Sequence, residues 1–246
     1  MPSQSLKPLI IYTTASGLLI VLASLSSWTA FLYCFALSPL LVAQDQGHAY
    51  WHLALAGILP FALWTFFTGF SGFPLVNYLG WLLFLVAAPL WGRQRSFLGF
   101  LFLLVSAEAL PYYSFINNDW QLSLGAELAQ IEWLAPSFTL LGLFGHSLLI
   151  LLSNLLFSFL IPQIMAKKLS IGLLISFLFF TGLPVLFSLM ADGSNASYLI
   201  PQGNFDHLIG ADQFLARMSF FIAFFLLLFA LVRKLLPQNN SDDRFT

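Results

Sequence analysis

A few residues of this chain stand where their chemistry does not suit their surroundings, and any function has to be sought among them first. Glu108 lies in the apolar run 97–113, where an ionisable side chain is costly unless it is paired or reaches a headgroup. Pro111, Tyr112 and Tyr113 follow at once. The carboxylate therefore stands close to an interface, where it either anchors the chain or meets a lipid headgroup or substrate. His146 and Asn154 are eight residues apart in another apolar run. That spacing puts them near one helical face, expected to turn inward and to hydrogen-bond a neighbouring helix. His48 and His52 have the i, i+4 spacing of a metal-binding pair, but only a distant Asp45 accompanies them, so no metal site is assigned. Cys34 is the single cysteine; it excludes an internal disulfide and a thiolate zinc cage, and reads as packing. Asn195-Ala196-Ser197 is a formal glycosylation triplet.

The elements that must hold these residues follow from composition. The 246 residues are 59% hydrophobic and 17% aromatic, with only 8% charged, whereas a soluble domain carries about a quarter charged residues. A formal net charge of −1 gives no basic surface and excludes a nucleic-acid partner. The expected solvent for most of the surface is lipid.

A helix needs roughly 20 apolar residues to cross the hydrocarbon core, and runs near that length occur at 8–25, 28–43, 53–67, 78–91, 97–113, 136–161, 171–190 and 214–236. The first two are parted only by Ser26 and Ser27 and read as a tight hairpin with a short second arm. Lys7 is a weak positive region for a signal peptide, and no small-residue cleavage site follows, so the first run is expected to be retained. Lysine and arginine collect on the cytoplasmic side of short loops. With a cytoplasmic amino terminus, Lys7, Arg93, Arg95, Lys167, Lys168, Arg233, Lys234 and Arg244 fall inside and only Arg217 outside. Asp119, Glu127, Glu132, Asp192, Asp206 and Asp212 all fall outside, in the two longer connections 114–135 and 191–213. The first connection mixes Trp120, Trp133 and leucines with amides and acids, as a segment lying in the interface would. The expected fold is thus all-α: a single polytopic membrane helix bundle of about eight spans over 1–236, with both termini cytoplasmic and a polar tail at 237–246.

The order of these features resembles the apolipoprotein N-acyltransferases of the bacterial inner membrane. Leu37-Ser38-Pro39-Leu40-Leu41 looks like that family's entry hairpin, and Glu108 takes the place of the acidic residue late in its fifth span. Asp119-Trp120-Gln121-Leu122-Ser123-Leu124-Gly125 is similar to its Pro-Trp-Leu segment, with Asp119 in place of proline. Ile131-Glu132-Trp133-Leu134-Ala135-Pro136, then Gly142, Gly145 and Asn154, follow its run into the sixth span, and Gly210-Ala211-Asp212-Gln213-Phe214-Leu215-Ala216-Arg217 its entry to the last. The resemblance implies an inner-membrane location and a place in lipoprotein biosynthesis. Family members insert a nitrilase-like domain with a Glu, Lys and Cys triad before the last span; here 191–213 stands there, without cysteine or lysine. No catalytic residue is carried over, and acyl transfer through a cysteine thioester is not open to this chain alone.

The expected function is a non-catalytic module that binds phospholipid or lipoprotein acyl chains, with Glu108, Trp120, Glu127, Glu132 and Trp133 as the lipid-handling residues and His146 and Asn154 as interior polar groups. A separate nitrilase-like subunit is the implied partner, and no cofactor is expected. The alternative is a small transporter or flippase for an amphipathic solute, which usually shows repeated halves with interrupted helices; no repeat is visible. An intramembrane protease is a third class. Gly69-Phe70-Ser71-Gly72 matches the Gly-x-Ser-Gly of rhomboid proteases and His207-Leu208-Ile209-Gly210 resembles their histidine motif, but Ser71 lies in a glycine-rich turn and His207 in a connection.

Overall fold

The computed structural model describes residues 6–26, 28–44, 124–129, 131–190 and 210–235. The expected spans 53–67, 78–91 and 97–113 and the tail 237–246 lie outside these residues, as do Ser71, His207, His48, His52 and the Asn195 triplet. Among the described residues the structure is helical, without strands. α1 is Leu6–Ser24; a 3-10 turn at Ala30–Leu32 leads into the short α2, Tyr33–Ala36, and α3, Ser38–Gln44. α4 is Leu124–Leu128, and a second 3-10 turn, Glu132–Leu134, opens α5, Ala135–Met165. α6 is Ile171–Met190 and α7 Gly210–Leu235.

Two of these stretches are long and apolar enough to cross a membrane, Glu132–Met165 and Ile171–Met190. At about 1.5 Å per residue the second spans about 30 Å, the thickness of a hydrocarbon core. The first pair of arms is apolar but shorter, Lys7–Ala23 and Ala30–Ala43, and the turn between them is closed by Ser26 and Thr29. Thr29 N–H donates to Ser26 O at 3.0 Å, and Thr29 Oγ1 accepts from Ser26 N–H at 3.1 Å.

α5 is the spine, packing against α2, α3, α4, α6 and α7. Its core partners include Tyr33, Leu40 and Leu128, which close over Phe138, Leu143 and Phe144. The connection at 124–134, expected to lie in the interface, instead sends Leu124, Leu128, Ile131 and Leu134 into this core. The loop from α5 to α6 ends the spine with a left-handed residue, Lys167 at φ 55°. Lys168 N–H donates to Gln163 O at 2.9 Å and Lys167 N–H to Ile164 O at 3.0 Å, the Schellman pairing that satisfies a helix's last carbonyls.

The described surface is rich in large apolar side chains, and several polar groups are buried among the apolar core. α6 exposes Ile171, Ile175, Leu178, Phe179 and Leu189, while α5 buries Ser137, His146, Ser147, Ser153, Asn154 and Ser158. In water the apolar faces would be the costly ones. Across the α5–α6 contact, Thr181 Oγ1 donates to Ser153 Oγ at 3.1 Å, the interhelical hydroxyl bond typical of helices in lipid.

Pro39 explains the break between α2 and α3. It has no N–H and cannot continue the helical ladder, and two side chains repair the adjacent rungs. The Asn154 amide enters between Tyr33 and Leu37: its Nδ2 donates to Tyr33 O at 2.7 Å, and its Oδ1 accepts from Leu37 N–H at 2.7 Å. Ser16 Oγ enters between Ala36 and Leu40, donating to Ala36 O at 2.7 Å and accepting from Leu40 N–H at 3.2 Å. Ser38 Oγ donates to Asn154 O at 2.8 Å, so the two helices are joined from both sides. Replacing Asn154 by Ala removes the amide's bonds to Tyr33 O, Leu37 N–H and Ile150 O, at about 1–3 kcal/mol for each buried group that finds no substitute. Asn154→Ala should therefore lower unfolding stability by about 2–4 kcal/mol in detergent micelles, followed by tryptophan fluorescence; a loss below about 0.5 kcal/mol would show that the rungs close without it.

Candidate functional site: the break in the fifth helix

α5 is not one continuous helix. Gly142 adopts φ 68°, ψ −178°, a conformation reserved for glycine, and the chain restarts as a helix at Leu143. The first N–H groups after such a restart have no carbonyl behind them. Asp212, fully buried in the first turn of α7, supplies the acceptors: Oδ2 takes Leu143 N–H at 2.9 Å and Oδ1 takes Phe144 N–H at 2.8 Å. A carboxylate at that position also meets the positive end of the helix dipole. The approach is so close that a Cβ on Gly142 would collide with Asp212 Oδ1.

His146 reads the same break from the other side. In an unbroken helix Ser137 and His146 would be about 13 Å apart along the axis; folding back at Gly142 brings His146 Nε2 to 2.8 Å from Ser137 Oγ. The imidazole lies flat on Phe138, centroids 3.7 Å apart and planes 3° from parallel. Its Nδ1 stands 2.7 Å from Gly142 O. A carbonyl can only accept, so the network assigns the proton to Nδ1, and with one ring proton Nε2 is the bare nitrogen facing the Ser137 hydroxyl. Ser137 Oγ also lies 2.7 Å from Leu134 O, and its one proton is shared between the two acceptors.

α4 seats on the restart. Gly125 N–H donates to Ser147 Oγ at 2.9 Å, and a Cβ on Gly125 would collide with Leu143 O. Three elements thus meet at one interrupted turn: α4 through Gly125, α7 through Asp212, and the helix itself through His146.

The residues expected to handle lipid are only partly in view. Glu108 and Trp120 lie outside the described residues, and of Glu127 the backbone alone, in α4, is described. Glu132 is exposed, and Trp133 is half exposed with its ring 5.8 Å from Phe31. Trp133 O accepts from Ser188 Oγ, tying the start of α5 to the end of α6. The structure places Glu132 and Trp133 side by side on the surface and does not bring them to the break. His146 and Asn154 are both buried, but on different business: His146 at the break, Asn154 two turns on at the α2–α3 junction.

No family model, curated protein or solved structure matches this chain. The geometry alone must therefore carry the reading, and its centre is a residue that spacing did not single out. Asp212 was visible only as an acid opening the last span. Its partner glycine belonged to the pair Gly142 and Gly145, whose spacing gives no sign of a break. Among the described residues, no group of three or more metal-ligating side chains comes together.

Asp212 and Gly142 should be energetically coupled. Asp212→Ala leaves two buried N–H groups unpaired, at about 2–4 kcal/mol, while Asp212→Asn keeps one acceptor and should lose about half of that. Gly142→Ala introduces a strained φ and a collision with the carboxylate. Because removing Asp212 also removes the collision, the double variant should lose at least about 1 kcal/mol less than the sum of the single losses. Losses that simply add would show the break and the carboxylate to be independent.

Proposed function

We propose that this chain is an integral inner-membrane protein of about eight spans, and that it holds phospholipid or lipoprotein acyl chains among its helices without transferring them through a cysteine thioester. The observation that supports the membrane part is the apolar surface, where α6 and the outward side of α7 present leucine, isoleucine and phenylalanine while serines, His146, Asn154 and Asp212 are buried. Supporting the acyl-chain part is the way that buried polar groups are consumed by the chain's own backbone. Asn154 and Asp212 are bonded to helix breaks, leaving contacts to a bound chain to be made by apolar side chains. The resemblance to the membrane half of apolipoprotein N-acyltransferase points the same way, and so does the chain's want of a thiol or lysine in the connection 191–213.

One observation favours the transporter reading. Broken helices whose half-helix N-termini face a substrate anion are a transporter device, and α5 has such a restart at Leu143. Here, however, both of its leading N–H groups are occupied by Asp212, which fills the place an anionic solute would take.

Two measurements test the proposal. Reporter fusions at Gln163 and Gly203 should report opposite sides of the membrane; the same side for both would remove the eight-span arrangement with cytoplasmic termini. For acyl-chain binding, Glu108→Gln and Trp120→Ala should each reduce photo-crosslinked phospholipid at least twofold while changing stability by less than about 1 kcal/mol, the scale of an ordinary surface substitution. Unchanged crosslinking with lowered stability would make the outer connection architecture alone. The purified chain should also fail to acylate the amine of a diacylated lipoprotein, and robust turnover would refute the proposal.

A further inference from the structure

The contact between Ser137 and His146 satisfies a buried acceptor, the bare Nε2, and in doing so sets a hydroxyl against a base. The hydroxyl has a further partner in Leu134 O at 2.7 Å. What the break at Gly142 adds is a second, directional contact at 2.8 Å to an imidazole nitrogen whose state is fixed by its neighbours. Gly142 O accepts the Nδ1 proton at 2.7 Å and Phe138 clamps the ring in a parallel stack. A hydroxyl on the bare nitrogen of an imidazole whose other nitrogen is bonded to a third group is the arrangement that activates a serine. The carbonyl here does the orienting that a carboxylate does in a catalytic triad.

We propose that Ser137 and His146 form a nucleophile and base pair that accepts an acyl group from a long-chain carboxylic ester. The proposal goes beyond acyl-chain binding but rests on it for the class of substrate. In the step, Ser137 Oγ attacks the ester carbonyl carbon as His146 Nε2 takes the hydroxyl proton. The tetrahedral adduct collapses by breaking its bond to the alcohol oxygen, and the alcohol leaves with the proton from Nε2. The product is an ester on Ser137. Water resolves it by attacking the same carbon, giving its proton to Nε2, which returns it to Ser137 Oγ as the fatty acid departs. Asp212 holds the N–H groups of Leu143 and Phe144, the leading donors of the restart. Stabilisation of the adduct is therefore weak, and the expected reaction is a slow acylation instead of fast turnover. Both side chains are fully buried, so reaction also waits on an opening of the outer segment, where α4 seats on the restart through Gly125.

The test uses the full chain in lipid nanodiscs and two fluorophosphonates, one with a hexadecyl chain and one with an ethyl group, with peptide mass spectrometry to place the adduct. The expected result is a hexadecyl phosphonate on Ser137, formed at least tenfold faster than the ethyl one and absent from Ser137→Ala. His146→Gln, which retains a hydrogen-bonding side chain, should slow labelling at least tenfold, and a thermal melt would confirm that it remains folded. Wild-type protein that is folded and stays unlabelled at Ser137 after prolonged exposure would overturn the proposal without recourse to any variant. Equal labelling by both probes would keep the reactive pair and overturn the long-chain substrate, and with it the support this site lends to acyl-chain binding. Labelling that persists in folded His146→Gln would overturn the role of the base.

Discussion

An N–H or C=O with no partner is expensive in an apolar interior, and the described part of this chain is arranged around the places where helices leave such groups behind. Each unpaired group costs on the order of 1–3 kcal/mol, a large share of the few kcal/mol by which a domain is stable. An uninterrupted helix avoids the cost by pairing its own backbone. This chain interrupts two, at Pro39 and at Gly142, and each interruption recruits side chains from elsewhere. At Pro39 they are Asn154 and Ser16; at Gly142, Asp212 and His146. The interruptions determine which helices must be neighbours.

Because both repairs run through α5, the spine couples the two ends of the bundle. The half after Gly142 begins under Asp212 of α7 and reaches Asn154 about three turns later, where it enters the ladder of α2 and α3. Shifting α5 along its axis by one residue would move both contacts by about 1.5 Å, more than a hydrogen bond tolerates. The register of α7 against α5, and of α5 against the entry hairpin, is fixed by polar contacts, while the surrounding leucine and phenylalanine packing supplies area without specifying register. A buried polar residue that sets register is a known use of such groups.

The sequence discloses the helices far better than it discloses their breaks. Span 171–190 matches α6 residue for residue, 136–161 lies within α5 and 214–236 overlaps α7 up to Leu235, because run length and hydropathy are local properties. The break at Pro39 falls inside the run 28–43, where nothing singles it out, and a proline alone does not announce one, since Pro162 and Pro184 sit inside α5 and α6. Nor does Gly142. A glycine inside an apolar run is equally compatible with close helix packing, and its conformation depends on Asp212, some seventy positions further along the chain. The same holds for the Ser137 and His146 contact, which exists only because the backbone folds back between them. The segment 124–134 misleads for another reason: Trp133 and Glu132 do lie at the surface, but Leu124, Leu128, Ile131 and Leu134 turn into the core, and a short apolar pattern does not say whether lipid or protein receives it.

What the interior can recognise follows from how its polar capacity is spent. Asn154 has used both amide protons and its oxygen, and each oxygen of Asp212 holds a backbone N–H. Ser16, Ser38 and Ser147 bridge helices. Among the described residues, Ser219 Oγ on α7 is the buried side-chain oxygen without a partner, and one hydroxyl is a thin basis for selecting a polar solute. A site built to hydrogen-bond its ligand leaves groups costly to bury when the ligand is away. Among the described residues the chain closes on itself instead. The bare Nε2 of His146 belongs to the same pattern: it is a buried acceptor whose donor, the Ser137 hydroxyl, also lies against Leu134 O.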